Sequence, residues 1–340
     1  MSTNERPGVY TTYEISGGLR GNLGGSTVGL AAAATAGTAG TVVTVTDEAA
    51  ARSAFTGGNL PELVGILLRN GAAAVRCCPV EDGDYETAFA ALMAEEDVKF
   101  MVCDSRSATM HGQMCDAIEA ADEKSRYRIG VVESSESTRT ALVSAAQALN
   151  SERMVMLSHH CSGGIPGAAA AAVCGQMAGE TDPAVPMNGV ELLGIGEIGG
   201  NFSDADLNLL VRGGVLPLET LGGRISIIRG ITTRSTTGGA ADATWREVNT
   251  IRIVDTVIPA IRDSLRTAFV RCKNTAQTRG AIRTRVIIEL ERFVQQEIID
   301  GYDDVSVAAS AEDPTVCEVS FRFGVAHGLN VIQLSAHITV

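Results

Sequence analysis

Apolar positions follow three different rhythms along this chain. Between about Leu60 and Cys161, short continuous apolar runs alternate with amphipathic stretches. Ala72–Val80, Val98–Ser105, Tyr127–Ser134 and Arg153–His159 have the character of buried strands. Tyr85–Glu96, Ala108–Ser125 and Thr138–Asn150 show helical spacing between them. Strands apolar on both faces, each followed by a helix, predict a doubly wound α/β domain built on a parallel sheet.

After Pro183 the rhythm changes to loops, short strands and a helix whose start is marked by Ser203 and Asp206. Two long helices are then predicted. In Trp245–Phe269, Ile251, Val254, Ile258, Ile261, Leu265 and Phe269 recur at helical spacing, and Pro259 should kink or break the run. In Gly280–Ile299, Ile282, Val286, Leu290, Phe293 and Val294 share a side. Both apolar faces suit the core of a C-terminal α+β domain.

The third rhythm has period two. Cys317, Val319, Phe321, Phe323 and Val325 alternate on one face of a strand. After a His327-Gly328 turn, Val331–Val340 alternates again, with Ile332, Leu334, Ala336, Ile338 and Val340 on one side. Near the other end, Val9, Tyr10, Thr11, Thr12, Tyr13, Glu14 and Ile15 form a β-prone run between a Pro-Gly turn and glycines. The segment that follows, Gly18–Thr46, is rich in Gly, Ala and Thr, with a strand expected at Thr41–Thr46. A terminal strand needs a neighbour to satisfy its backbone groups. It either closes a hairpin with Phe321–Val325 or is given to another molecule. The expected division is an N-terminal arm over 1–22, the α/β domain over 23–184, the α+β domain over 185–328 and a C-terminal arm strand over 329–340.

Composition narrows the function classes. At 340 residues, 45% hydrophobic and 20% charged, the chain is globular and long enough for two domains. A net charge of −13 disfavours nucleic acid and anionic membrane surfaces as partners. The N-terminal MSTNERPGVY lacks the apolar segment of a secretory signal, and no apolar run is long enough to suggest a membrane span. The eight cysteines include the adjacent pair Cys77 and Cys78 but no C-x-x-C, and they fit reduced, buried thiols.

A doubly wound sheet raises the possibility of a nucleotide-binding protein or an enzyme with an unrecognised site, and the motifs test it. Gly194, Gly196 and Gly199 match G-x-G-x-x-G, but the next helix opens only near Ser203, outside the regular α/β run, so a loop needing positive φ is the simpler reading. His159 and His160 are adjacent on extended chain and point to opposite faces, without the spacing of a metal pair. His111, His327 and His337 are isolated, and neither G-x-S-x-G nor a P-loop occurs. Glu95-Glu96 and Asp303-Asp304 suit solvated faces. No catalytic, cofactor-binding or metal-ligating residue is assigned.

Several stretches together resemble the contractile tail sheath proteins of myophages and phage-tail-like particles: Arg6–Tyr10 before a strand and glycines, Asn70–Val80, and above all Ala168–Phe269 with the paired helices and terminal strands after it. In the last region the carriers are a helix ending at glycine, a Pro/Met-Asn loop, the step LNLLVRGGV and the run RGITTRS. The resemblance implies a structural subunit without enzymatic activity or cofactor. Copies would polymerise helically around a tail tube and contract to drive it through a target envelope. It also implies strand arms, here Val9–Ile15 and residues 330–340, added to the sheets of neighbouring copies. Implied partners are other copies, the tube protein, and baseplate and tail terminator proteins, with no nucleic acid and no membrane insertion. The setting would be a virion tail or related particle assembled in the bacterial host cytoplasm; a contractile injection system shares the mechanism. Among the arginines of the long helices, Arg279, Arg283 and Arg285 are candidate contacts to the tube or to adjacent subunits.

Overall fold

The computed structural model describes residues 24–162, 164–199, 202–330 and 332–335. In chain order the elements are β1 (Thr27–Ala33), β2 (Val43–Val45), α1 (Glu48–Ala54), α2 (Leu60–Arg69), β3 (Ala74–Val80), α3 (Tyr85–Ala94), β4 (Val98–Cys103), α4 (Ala108–Asp122), β5 (Ile129–Glu133), α5 (Arg139–Leu149), β6 (Met154–Leu157) and α6 (Ala168–Gly179). There follow α7 (Asp204–Arg212), β7 (Val215–Leu216), β8 (Leu218–Leu221), β9 (Arg224–Ile227), β10 (Thr236–Thr237), β11 (Ala240–Ala241), α8 (Val248–Ala268), α9 (Ala276–Gln295), β12 (Ile299–Ala309) and β13 (Cys317–Val325).

Seven strands form one sheet in the order β2-β3-β1-β4-β5-β6-β7. All neighbours run parallel except β2, which pairs antiparallel at the edge. Both faces are covered, so β5 and β6 are buried at every position. One core lies on the α2 and α6 side and includes Leu30, Leu63, Val75 and Val173. The other lies on the α3, α4 and α5 side and includes Phe89, Met101, Met114 and Leu142. The central β1 is TVGLAAA, an alanine-rich segment inside the Gly/Ala/Thr stretch where only a later strand was expected. Last in the sheet is β7, which comes from beyond residue 185. The expected division at 184/185 therefore precedes a strand that the first domain's sheet uses.

Helix α8 runs unbroken through Pro259. It serves two cores. Val248 and Ile251 join the α2–α6 core, while Ile253, Val257 and Ile261 join a third core with Val286, Leu290, Phe293 and Ile299. The expected stripe is thus divided between two cores: Ile251 and Val254 pack with the first, Ile261 and Leu265 with the third, and Ile253 and Val257 add a side the spacing did not show. Polar contacts anchor the N-terminal half of α8 to the α/β unit. Arg252 donates to the carbonyls of Met177 and Glu180 at the end of α6. Asp255 accepts both Nη groups of Arg153, which also meets Asp122 at 2.8 Å. Burial pushes the Arg252 guanidinium down to about 10 and holds the Asp255 carboxyl above its usual range despite Arg153.

Candidate functional site

The strand order puts the topological switch between β1 and β4, where open α/β sheets take their ligands. Here the chain fills that crevice with its own groups. Asp104, just past β4, accepts hydrogen bonds from the Ala33 N–H at 2.9 Å, from Asn59 Nδ2 at 2.8 Å and from the Tyr85 hydroxyl. Burial and the Asp104 carboxylate raise the Tyr85 hydroxyl well above its ordinary pKa, so it stays protonated and donates. Gly58 has φ +70°, and a Cβ there would lie 2.1 Å from the Ala33 carbonyl oxygen, so only glycine lets the loop before α2 close over the end of β1.

One strand along, Glu133 at the end of β5 is fully buried. Its carboxylate accepts from the N–H groups of Gly167 (3.1 Å), Ala169 (2.6 Å) and Ala170 (3.3 Å), and from Arg106 Nε at 2.9 Å. A helix N-terminus with free N–H groups is a ready anion site. At α6 that site holds an internal carboxylate. Neither residue stood out in the sequence; the only hint was an acidic residue ending an otherwise apolar strand.

The motifs tested in the sequence lie elsewhere. Gly194 has φ +75° in a loop beside Arg69, and no helix opens within the glycine motif. His159 is buried against Phe202, with Ser158 Oγ 2.6 Å from its Nδ1. Six of the eight cysteines are buried and all are free thiols; Cys272 is exposed and Cys317 half-buried. Burial raises Cys161 to about 11 and Cys103 to about 12, which leaves them as thiols at neutral pH. Glu95 and Glu96 pair with Arg76 and Arg126, and Asp304 with Arg322, at partly or largely exposed positions. Among the described residues no cluster of three or more His, Cys, Asp or Glu is set to hold a metal, and no helix is long and apolar enough to cross a membrane.

β12 and β13 form a two-stranded antiparallel ribbon, paired from Ile299–Val325 to Ala309–Cys317. Its inner face, with Val305, Val319, Phe321, Phe323 and Val325, packs on the α8–α9 core. Its two outer edges have no paired strand among the described residues. β12 escaped the sequence reading because a register shift between Asp303 and Ser306, with Asp304 at φ +51°, interrupts its alternation. The usable signal was the alternation resuming at Val305 and Val307.

Beyond β13 the chain passes Pro186, and Asn330 accepts a hydrogen bond from Asn188 Nδ2 at 2.7 Å. Residues 332–335 belong to no strand, and Ile332 and Leu334 are 79% and 92% exposed. β13 pairs with β12, so the alternative hairpin with the terminal segment does not form over 332–335. Val9, Tyr10, Thr11, Thr12, Tyr13, Glu14 and Ile15, together with Val331, Ala336, Ile338 and Val340, lie outside the described residues. Arg279, Arg283 and Arg285 lie on α9 and engage the chain itself. Arg279 donates to Asn274, Arg283 to the Val305 carbonyl, and Arg285 to Ser264 Oγ while pairing with Glu289.

This two-part architecture has close counterparts among solved structures. It superposes on a chain of the anti-feeding prophage baseplate with a TM-score of 0.77 at 15% identity, covering 99% of this chain and 100% of that one. For the contracted helical sheath of the same particle the TM-score is 0.73 at 15% identity, over 98% and 99% of the two chains. The chain has the fold of a tail sheath protein. A sheath tail protein from Desulfitobacterium hafniense shares this sheath fold at a TM-score of 0.68 and 10% identity, covering 94% of this chain and all of that one. At the sequence level, residues 240–339 match the phage tail sheath C-terminal domain. That span contains α8, α9 and the ribbon. The tail sheath protein of Bacillus phage SP01 is 28% identical over 172 residues, which cover 49% of this chain and 28% of the relative. The chain thus accounts for under a third of that relative's length.

Proposed function

We propose that this chain is a structural subunit of a contractile tail sheath, with self-assembly rather than catalysis as its function. The observation that carries the reading is the β12–β13 ribbon, whose two edges have no paired strand among the described residues, in a chain whose sheath fold extends over nearly its whole length. Two unpaired edges accept two further strands. Residues 9–15 and 330–340, the arms over 1–22 and 329–340, supply them to neighbouring copies by strand addition. About five main-chain hydrogen bonds at ~0.5–1.5 kcal/mol each give a few kcal/mol per arm. Such a contact is weak alone and strong when repeated through a lattice. Because donor and acceptor surfaces differ, the contact is heterologous and extends as a helix instead of closing as a dimer.

On this reading the polymer surrounds a tail tube and joins a baseplate at one end and a terminator at the other. It is assembled in the host cytoplasm and forms part of a phage tail or tail-like particle. Arg279, Arg283 and Arg285 remain the candidate cations for the tube or the adjacent subunit, with their intramolecular bonds fixing where they point. The filled crevice supports the same reading, since Asp104 and Glu133 occupy the positions where a ligand would sit.

The test is negative-stain microscopy of the intact chain and of a chain lacking residues 330–340. Tubes or rings from the first, lost from the second while its circular dichroism is unchanged, are the expected result. Small uniform particles from both would refute assembly through the terminal strand.

A further inference from the structure

Charge is divided unevenly along the chain. Residues 24–247 carry 27 carboxylates against 15 lysines and arginines, while residues 248–295 carry nine cations against four carboxylates. An acidic α/β unit is thus joined to a basic helical pair.

The basic pair ends in a tip. Arg266 in the last turn of α8, and Arg271 and Lys273 in the connector to α9, are exposed. None of the three side chains has a hydrogen-bond or ion-pair partner among the described residues. Between them Val270 is 73% exposed. An exposed apolar side chain flanked by cations without ion pairs is complementary to a groove with an apolar wall and exposed carboxylates.

The acidic unit holds such a groove. A groove of about 370 Å³ between α3 and α4 is lined by Phe89, Ala90 and Ala117 with Glu86, Gln113 and Asp116. Glu86 and Asp116 have no ion-pair partner among the described residues. Glu81, Asp82 and Asp84, in the turn that leads into α3, add three more exposed carboxylates. Along the same helix pair the surface continues past Ala90 and Ala117 to Lys124 and Arg126. Those cations repel a basic tip, so the charge gradient fixes both the end at which it docks and its orientation.

We infer that the α8–α9 tip of one copy docks in the α3–α4 groove of a second copy, with Val270 against Ala90 and Ala117 and the cations facing Glu86 and Asp116. The occupant is another copy because every copy offers both complementary surfaces. Tip and groove are different surfaces, so the contact is open-ended and can propagate. It rests on the polymeric reading above and adds a salt-sensitive contact between folded bodies, separate from the strand arms.

Charge reversal in the full-length chain tests this. Arg271→Glu with Lys273→Glu should raise the concentration needed for assembly at least tenfold, and Glu86→Lys with Asp116→Lys should do the same. All four changes in one chain should restore it. A second measurement does not depend on tubes. Exposed Cys272 lies within the tip, so in an Ala90→Cys chain a short bismaleimide should give cross-linked dimers, and Cys272→Ser should abolish them. Cross-linked dimers without tubes would uphold the docking and sink the sheath reading. Tubes that form without the cross-link, with both reversals silent, would overturn the docking. Loss from the tip reversal alone, with no rescue in the fourfold variant, would also overturn it.

Discussion

The α/β unit and the β12–β13 ribbon solve the same problem in opposite ways. Both are sheets, and both must satisfy backbone groups and cover apolar side chains. The seven-stranded sheet does so within one chain: helices cover both faces, and the crevice at its strand ends is closed by Asp104 and Glu133. The ribbon covers one face with α9 and, among the described residues, leaves both edges unpaired, and only Ile299 among its residues is fully buried. A region complete in one copy gives a rigid body. A region left incomplete is, on the proposed reading, the one that other copies would finish.

The largest expected effect tests that completeness. Glu133→Ala leaves Arg106 and three N–H groups of α6 without their acceptor, and should cost about 3–5 kcal/mol in denaturant unfolding. Added formate should recover part of it, since a small anion fits the vacated cradle. Phe293→Ala opens the third core and should cost about 3–5 kcal/mol. If the two regions are separable, only the transition that reports α9 and the ribbon will move; a shift of the whole melt would make them one cooperative unit. Asp255→Asn weakens the joint between them and should cost about 1.5–3 kcal/mol, with Asp122 still holding Arg153.

A pH series isolates the closed region. Burial depresses the pKa of His111, whose Nε2 lies 2.9 Å from the Ser105 carbonyl. The unfolded chain therefore takes the proton first. Stability should fall as pH drops below about 6.5, by at most about 1.4 kcal/mol per pH unit from this group. His111→Gln should flatten the slope by that share. The smallest effect belongs to the open region: Leu334→Asp should change unfolding by less than about 0.5 kcal/mol, because the side chain is 92% exposed. On the sheath reading it should nonetheless abolish assembly visible by microscopy.

How far the sequence carried depended on how each segment satisfies its neighbours. Strands β3 to β6 and their helices were legible because burial on both faces writes a continuous apolar run. β1 was missed although it is central: Gly29 and three alanines give it low strand propensity, and Gly29 is small because Met101 and Val98 crowd it. The two faces of α8 were read as one because Ile251 and Ile253 serve different cores. Asp104 and Glu133 could not be singled out, since what matters about them is which N–H groups the fold brings to them. The sheath resemblance was read mainly from Ala168–Phe269, and the matched C-terminal domain overlaps that stretch over 240–269.

The internal carboxylates have a consequence for where this protein can operate. A fold that borrows a soluble anion to complete a helix terminus is stabilised in proportion to the logarithm of that anion's concentration, and loses the benefit on dilution. Glu133 is tethered beside α6, so its effective concentration is set by chain geometry and not by the medium. The α/β body keeps that part of its stability unchanged between media that differ in their dissolved anions.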